Sequence, residues 1–351
     1  MSASPIDFLP GALLPWYEVH ARDLPWRADR EAYHVLVSEI MLQQTRVEAA
    51  IDHYRRFIAE LPDVFALASV PPERLHKLWE GLGYYRRAGY LQSAAQQIVR
   101  DYGGVFPAQY DKIRALRGVG DYTAGAICSI SFELPTPAVD GNVLRVFSRL
   151  LADETPVPSP AAQKKTHDLL APIYPVGRCG DFTQSLMELG ATVCIPNGAP
   201  RCEICPLRSH CLAARQNRAQ SFPVKSAKKA RRTENLTIFL LRCGDCIAIE
   251  KRPEGGLLAG LWQFPNVSGH LDETAALAEA KRRGVTAKAL VSRVSRSHVF
   301  THVKWDMRAY CIDCESRSSE FVWVDFPTLE RDYALPSAFS QFFDVIKKQE
   351  A

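Results

Sequence analysis

Apolar residues recur at helical spacing through residues 32–58, 73–79, 91–99, 121–130 and 143–151. Turns carrying Gly or Pro separate these runs, as at Gly103-Gly104 and Pro156-Val157-Pro158. The pattern predicts a mostly helical region from 30 to about 215. Residues 216–233 are polar and basic, contain Pro223 and hold few apolar positions, which predicts a linker. Beyond it the period changes. Short apolar runs at 236–241 and 246–250 flank a Gly244-Asp245 turn and predict a β-hairpin. An Ala-rich helix is expected over 271–283 and strands over 303–311 and 321–324. The expected organisation is a helical domain over 1–215, a basic linker over 216–233 and an α+β domain over 234–351, without an internal repeat.

Composition agrees with two domains: the chain has 351 residues, of which 47% are hydrophobic, enough for real cores. The formal net charge is only +4, so charge alone does not announce a nucleic-acid binder. The local clusters matter more: Arg86-Arg87, then Lys225, Lys228, Lys229, Arg231 and Arg232. No apolar run reaches the ~18 residues of a membrane span, and no basic-then-apolar leader opens the chain. An intracellular, cytoplasmic monomer with no membrane partner is expected. Four of the ten cysteines crowd into residues 194–211, which points to metal ligation in a reducing compartment rather than to a disulfide framework.

The chemistry concentrates between Leu116 and Arg145. Gly118-Val119-Gly120 is a tight turn entering a helical pattern, where backbone N–H groups can seat a phosphate. Asp140 follows twenty residues after Gly120, in a Gly141-Asn142 turn that opens another helical pattern. Its carboxylate is either a helix N-cap or a functional acid. Glu39 lies in the apolar run Val35-Leu36-Val37-Ser38-Glu39-Ile40-Met41-Leu42, and so sits on an exposed stripe or lines a pocket. Breaking an N-glycosidic bond needs an acid to protonate the leaving base and an anion to stabilise the sugar cation, the two-carboxylate logic of glycoside hydrolysis.

These segments resemble the helix-hairpin-helix DNA glycosylases, the superfamily of endonuclease III. Three further blocks are similar to its adenine-specific (MutY) family: Val37 to Thr45, Gly81-Leu82-Gly83-Tyr84-Tyr85, and Met187-Glu188-Leu189-Gly190-Ala191 leading into four cysteines. The resemblance covers nearly the whole chain. It implies that Glu39 is the acid, that Asp140 stabilises the sugar cation or adds to it, and that Asn142 holds Asp140. Tyr122 occupies the position of the lysine nucleophile in bifunctional relatives. Tyrosine cannot form an imine, so a monofunctional enzyme that leaves the strand intact is expected. By the same resemblance Trp26, Arg27 and Glu188 line the base pocket, Gln43, Leu82 and Tyr84 enter the duplex, and Gly118 and Gly120 grip its backbone. Gln43 is four residues after Glu39, on the same face if the helix is continuous.

Cys194, Cys202, Cys205 and Cys211 form a C-x7-C-x2-C-x5-C run. Four thiolates this close hold either zinc or iron–sulfur; the resemblance implies a 4Fe–4S cluster, for which the family's first interval is usually one residue shorter. Residues 255–265, Gly-Gly-Leu-Leu-Ala-Gly-Leu-Trp-Gln-Phe-Pro, look like a Nudix-related domain, but the glutamate-rich metal box is absent and pyrophosphatase activity is not expected. In the family this domain reads 8-oxoguanine opposite the adenine through a Phe-Ser-His loop; here the residues are Phe300-Thr301-His302. The implied substrate is duplex DNA with adenine opposite 8-oxoguanine or guanine. Cys243, Cys246, Cys311 and Cys314 are a second candidate set, for zinc if the two strand ends meet, or otherwise small apolar residues near turns. The rival readings are an endonuclease III-like pyrimidine glycosylase and a catalytically silent, cluster-bearing DNA-binding protein.

Overall fold

The computed structural model describes residues 5–225 and 230–347. Lys228 and Lys229 of the basic cluster lie outside them. The chain divides into two compact units: Met1–Ser69 with Gly89–Ala227, and Val70–Ala88 with Lys228–Ala351.

The first unit is helical. Its helices are α1 (Leu9–His20), α2 (Ala32–Leu42), α3 (Val47–Glu60) and α4 (Val64–Ser69); α5 (Pro72–Leu78) belongs to the second unit. After α6 (Arg86–Tyr102) come α7 (Tyr110–Arg114), α8 (Asp121–Phe132), α9 (Gly141–Leu150), α10 (Pro160–Leu170), α11 (Cys179–Thr192) and the short α12 (Leu212–Arg215). Helix α8 is buried from Thr123 through Ile130, and α2 nearly all round, as their unbroken apolar sequences require. These two pack together as the centre of the unit. Amphipathic helices surround them: α3 buries Ala50, Tyr54 and Phe57, one face at helical spacing. A second core joins Leu9 and Leu13 of α1, Val143 and Phe147 of α9, and Phe182, Leu186 and Leu189 of α11.

The helix expected over 32–58 is in fact two. Helix α2 ends at Leu42, Gln43 leaves it with ψ 110°, and Gln44 turns back at φ 61° before α3 begins. Gln43 is therefore not one turn above Glu39 on a continuous face.

The second unit is built on a mixed sheet of β1 (Arg232–Cys243), β2 (Cys246–Lys251), β3 (Trp262–Gln263), β4 (Asn266–Ser268), β5 (Ala287–Val299), β6 (Val303–Cys314) and β7 (Val322–Asp325). The path runs β3-β2-β1-β6-β5, with β4 on β1 and β7 on β2. The expected hairpin is present, Cys243 pairing with Cys246 across the Gly-Asp turn. Strands β1 and β6 pair in parallel over Arg232–Arg242, a long-range contact that no local pattern signals. Leu236, Ile238 and Leu240 of β1 face a core with Trp305, Met307, Phe339 and Phe342. Phe239 and Leu241 face another with Tyr310, Ile312 and the Ala276 and Ala280 face of α13 (Glu273–Arg282). Both faces are covered, so β1 reads as an apolar run rather than as strict alternation.

Two boundaries differ from expectation. Residues 70–88, assigned above to the helical domain, pack with the second unit: the Leu335 N–H donates to Glu80 Oε1 at 2.9 Å and Lys77 Nζ to the Tyr333 carbonyl at 3.3 Å. Strand β1 starts at Arg232, inside the expected linker.

The candidate active site and the cysteine loop

Helices α2 and α8 bring Glu39 and Tyr122 together. Glu39 is 7% exposed, and the Tyr122 phenol donates a short hydrogen bond to its Oε2. Burial pushes the Glu39 carboxyl up to about 7; the Tyr122 hydrogen bond and Arg27 oppose the rise, and the Asp140 charge adds to it. The Tyr122 phenol is held well above its ordinary 10, first by burial and then by the Glu39 charge.

Asp140 caps α9, and the residue also lines the cleft. Its Oδ1 accepts from the Val143 N–H at 2.7 Å, and its Oδ2 accepts from Asn142 Nδ2 at 2.7 Å. Burial raises its pKa from the ordinary 3.8 despite these hydrogen bonds, which favour the ionised form. Asn142 is fixed from behind: Arg145 Nη2 donates to its Oδ1 at 2.7 Å and to the Gly190 carbonyl at 2.8 Å, while Arg145 Nε donates to the Cys194 carbonyl at 2.8 Å. Gly190 of α11 has no substitute here. A Cβ would stand 2.6 Å from Asn142 Cβ and 3.2 Å from its Cα.

A cleft of about 680 Å³ gathers these groups, and Trp26, Arg27, Gln43, Asn142 and Glu188 line it with Glu39, Tyr122 and Asp140. Trp26 packs edge-on against Tyr54, ring centroids 5.5 Å apart. Glu188 is fully buried and occupied by two guanidinium groups: Arg22 Nε and Nη2 donate to its two oxygens at 2.6 and 3.1 Å, and Arg27 Nη2 donates at 2.7 Å. Burial works against the charged carboxylate, but the two arginines outweigh it and lower its titration point. Glu188 thus orients Arg22 and Arg27. Arg22, Ser38, Arg145 and Gly190 were missed in sequence. Ser38, Arg145 and Gly190 stood in quoted segments and Arg22 in none, but a lone Arg, Ser or Gly carries no local signal of its partners.

Gly118 and Gly120, in the same unit, are not among the residues that line the cleft. Gly118 takes φ 79° in the turn between α7 and α8, where a Cβ would strike Tyr90 Cβ at 2.4 Å. Gly120 is the N-cap position of α8. In the second unit Leu82 is buried and Tyr84 is exposed at φ 46°, with the Tyr84 hydroxyl 2.6 Å from Thr301 Oγ1. Arg87 braces this loop by donating to the Leu82 and Gly83 carbonyls at 3.1 and 3.3 Å. Phe300 packs edge-on against Trp305 at 4.9 Å, and His302 is exposed.

Cys194, Cys202, Cys205 and Cys211 ring one small cavity in the first unit. All four are free thiols. Among the described residues no three Cys, His, Asp or Glu side chains close on a single metal-ion position. A ring of four thiols around a cavity suits a polynuclear cluster better than one ion. Burial raises the thiols of Cys202, Cys205 and Cys211, with their neighbouring sulfurs adding to the effect. Such mutual repulsion is relieved when a cationic centre binds the thiolates. The zinc reading of Cys243, Cys246, Cys311 and Cys314 is corrected. Cys311 faces the Trp305 and Met307 core, whereas Cys314 and Cys243 pack with the core on the opposite side of the sheet. Residues three apart on a strand point to opposite faces, so the four thiols cannot converge.

The hairpin, the two-carboxylate cleft and the cysteine loop define a helix-hairpin-helix base-excision fold with a Nudix-like unit attached. Residues 37–172 match the family described as HhH-GPD superfamily base excision DNA repair protein, and residues 237–345 match the NUDIX domain. The first unit is similar to a thermostable thymine-DNA glycosylase structure, at 28% identity and TM-score 0.55 over 60% of this chain and 97% of that one. An endonuclease III–DNA complex shares the fold at 22% identity and TM-score 0.51, over 60% and 96% of the two chains. The chain is 34% identical to the adenine DNA glycosylase of Rattus norvegicus over 96% of its own length and 77% of that protein. It is 33% identical to that of Buchnera aphidicola from Acyrthosiphon pisum, over 83% and 82%. The Arabidopsis thaliana protein of the same name is 38% identical over 83% of this chain, which spans 55% of that longer protein. The chain belongs to the adenine DNA glycosylase family, the DNA N-glycosylases of base excision repair. Among the described residues no helix is long and apolar enough to cross a membrane.

Proposed function

We propose that this chain flips adenine out of duplex DNA where it faces 8-oxoguanine or guanine, and hydrolyses its glycosidic bond without cutting the strand. One observation carries the reading: a buried Glu39, pushed up to about 7, shares a cleft with a hydrogen-bonded Asp140. The proton on Glu39 passes to a ring nitrogen of the adenine as the bond from the sugar carbon breaks. The bonding electron pair leaves with the base. The Asp140 carboxylate stabilises the sugar cation, and water supplies the hydroxyl of the abasic product while its released proton restores the Glu39 acid. Tyr122 holds the acid in place, and its phenol offers no amine for imine formation. Arg22 and Arg27, aligned by Glu188, present donors to the extruded base.

Cys194, Cys202, Cys205 and Cys211 would hold a 4Fe–4S cluster, which when bound orders the loop carrying Arg201 and Arg208 against the DNA backbone. Gln43, Leu82 and Tyr84 enter the duplex and offset the cost of extrusion, a few kcal/mol. Phe300, Thr301 and His302 read the oxidised base; support comes from the Thr301 hydroxyl, which keeps a donor and an acceptor and meets Tyr84. The enzyme works as an intracellular monomer on DNA.

The test is single-turnover excision on duplexes with one adenine opposite 8-oxoguanine, guanine or thymine, with and without alkali. Breaks that need alkali and form fastest opposite 8-oxoguanine are expected. Breaks without alkali would refute the monofunctional mechanism, and equal rates opposite all three bases would refute the recognition role.

A further inference from the structure

Arg149, on the inner face of α9, is 4% exposed and lines the cavity ringed by the four cysteines. Its Nε donates to the Phe222 carbonyl at 3.1 Å, and its Nη1 donates to the Ile195 carbonyl at 2.9 Å and to the Cys194 sulfur at 3.2 Å. Its own carbonyl oxygen lies 3.3 Å from Cys211 Sγ. One residue therefore touches both ends of the cysteine run, by side chain at Cys194 and by backbone at Cys211. None of these partners is a carboxylate. A guanidinium buried among carbonyls and sulfur is costly until an anion balances it.

A cluster held by four thiolates is such an anion. We propose that Arg149 sets the reduction potential of the cluster and secures Cys194 as its first ligand. This rests on the cluster reading given above. An N–H···S hydrogen bond withdraws charge from the ligand sulfur, and reduction makes the cluster more negative by one electron. A fixed guanidinium against that sulfur favours the reduced state over the oxidised one, so the potential lies higher with Arg149 than without it. The same contacts account for the longer first interval. Arg145 holds the Cys194 carbonyl, Arg149 holds the Ile195 carbonyl and the Cys194 sulfur, and the Cys194 N–H donates to the Leu189 carbonyl at 2.7 Å. Cys194 is thereby tied to α9 and α11, and the additional residue falls in the loop beyond it, where Gly198 turns at φ 79° with open space around it.

The experiment uses the full chain purified anaerobically, as wild type, Arg149→Lys and Arg149→Met, with iron and sulfide analysis first. A wild-type protein without iron would defeat the cluster reading itself and is thereby told apart from failure of this proposal. With iron present, the potential is measured electrochemically, and the terminal Fe–S(Cys) stretching bands are recorded by resonance Raman for protein prepared in H2O and in D2O. A D2O-sensitive terminal band is expected in wild type, reduced in both variants. The potential should move negative in Arg149→Met and by less in Arg149→Lys, which keeps the charge. Loss of the cluster from both variants beside a D2O-sensitive wild-type band supports the anchoring role. Terminal bands insensitive to D2O in wild type, or variants with full iron and the wild-type potential, would overturn it.

Discussion

Replacing Glu39 with glutamine tests the acid assignment through stability as well as through activity. The carboxyl is buried and titrates at about 7, against 4.5 for an exposed glutamate. Between those values the folded protein holds a proton that the unfolded chain has released, so wild-type stability falls as pH rises from 4.5 to 7 and is flat above. The loss is 2.303RT times the difference, about 3 kcal/mol once the folded group has ionised. Glutamine keeps the volume, accepts the Tyr122 hydroxyl and carries no charge to desolvate. Glu39→Gln should therefore be more stable than wild type at pH 8 by up to ~3 kcal/mol, or ~6–12 °C for a domain of this size, and nearly equal at pH 4.5. Thermal unfolding of both proteins at the two pH values gives the comparison. In single-turnover assays the wild-type excision rate should fall about tenfold per pH unit above 7 as the acid loses its proton. The variant should bind DNA and release no adenine. A melting difference that is the same at both pH values, or retained excision, would refute the reasoning.

Tyr122→Phe removes the hydrogen bond that holds the Glu39 titration down, so the alkaline limb of the excision profile should move to higher pH; an unmoved limb would count against the contact. Gly190→Ala drives a Cβ into Asn142 and should cost about 1–3 kcal/mol of stability in urea unfolding, with a fall in excision rate as Asp140 loses its support. Thr301→Ala removes the hydroxyl that meets Tyr84, and discrimination between 8-oxoguanine and guanine, read from paired single-turnover rates, should drop by about 5–30-fold.

Much of this site was legible because its parts are local. Asp140 and Asn142 share one turn, and Cys194, Cys202, Cys205 and Cys211 lie within eighteen residues, so spacing drew attention to them while the family resemblance supplied their expected roles. Glu39 was undecided between stripe and pocket, because its helix is apolar nearly all round and periodicity cannot say what lies opposite. The answer came from α8, which supplies Tyr122 and the burial. The zinc reading failed for a related reason. It needed two strand ends to meet, and they do, but the pleat sends Cys311 and Cys314 to opposite faces. The split of 32–58 into two helices was missed because Gln43 and Gln44 carry no Gly or Pro to mark the break.

The sequence by itself determined the two-part organisation, the helical and strand periods, the turn glycines and the types of side chain available for chemistry, since each depends on residues close along the chain. The tertiary structure alone decided which of those side chains meet. The parallel pairing of β1 with β6, the attachment of residues 70–88 to the second unit, the Arg22–Glu188–Arg27 cluster and the Arg145 and Arg149 contacts to the cysteine loop join positions far apart in sequence. Such contacts are set by packing and by the need to satisfy buried charge, which act on the whole folded unit and leave no period along the chain.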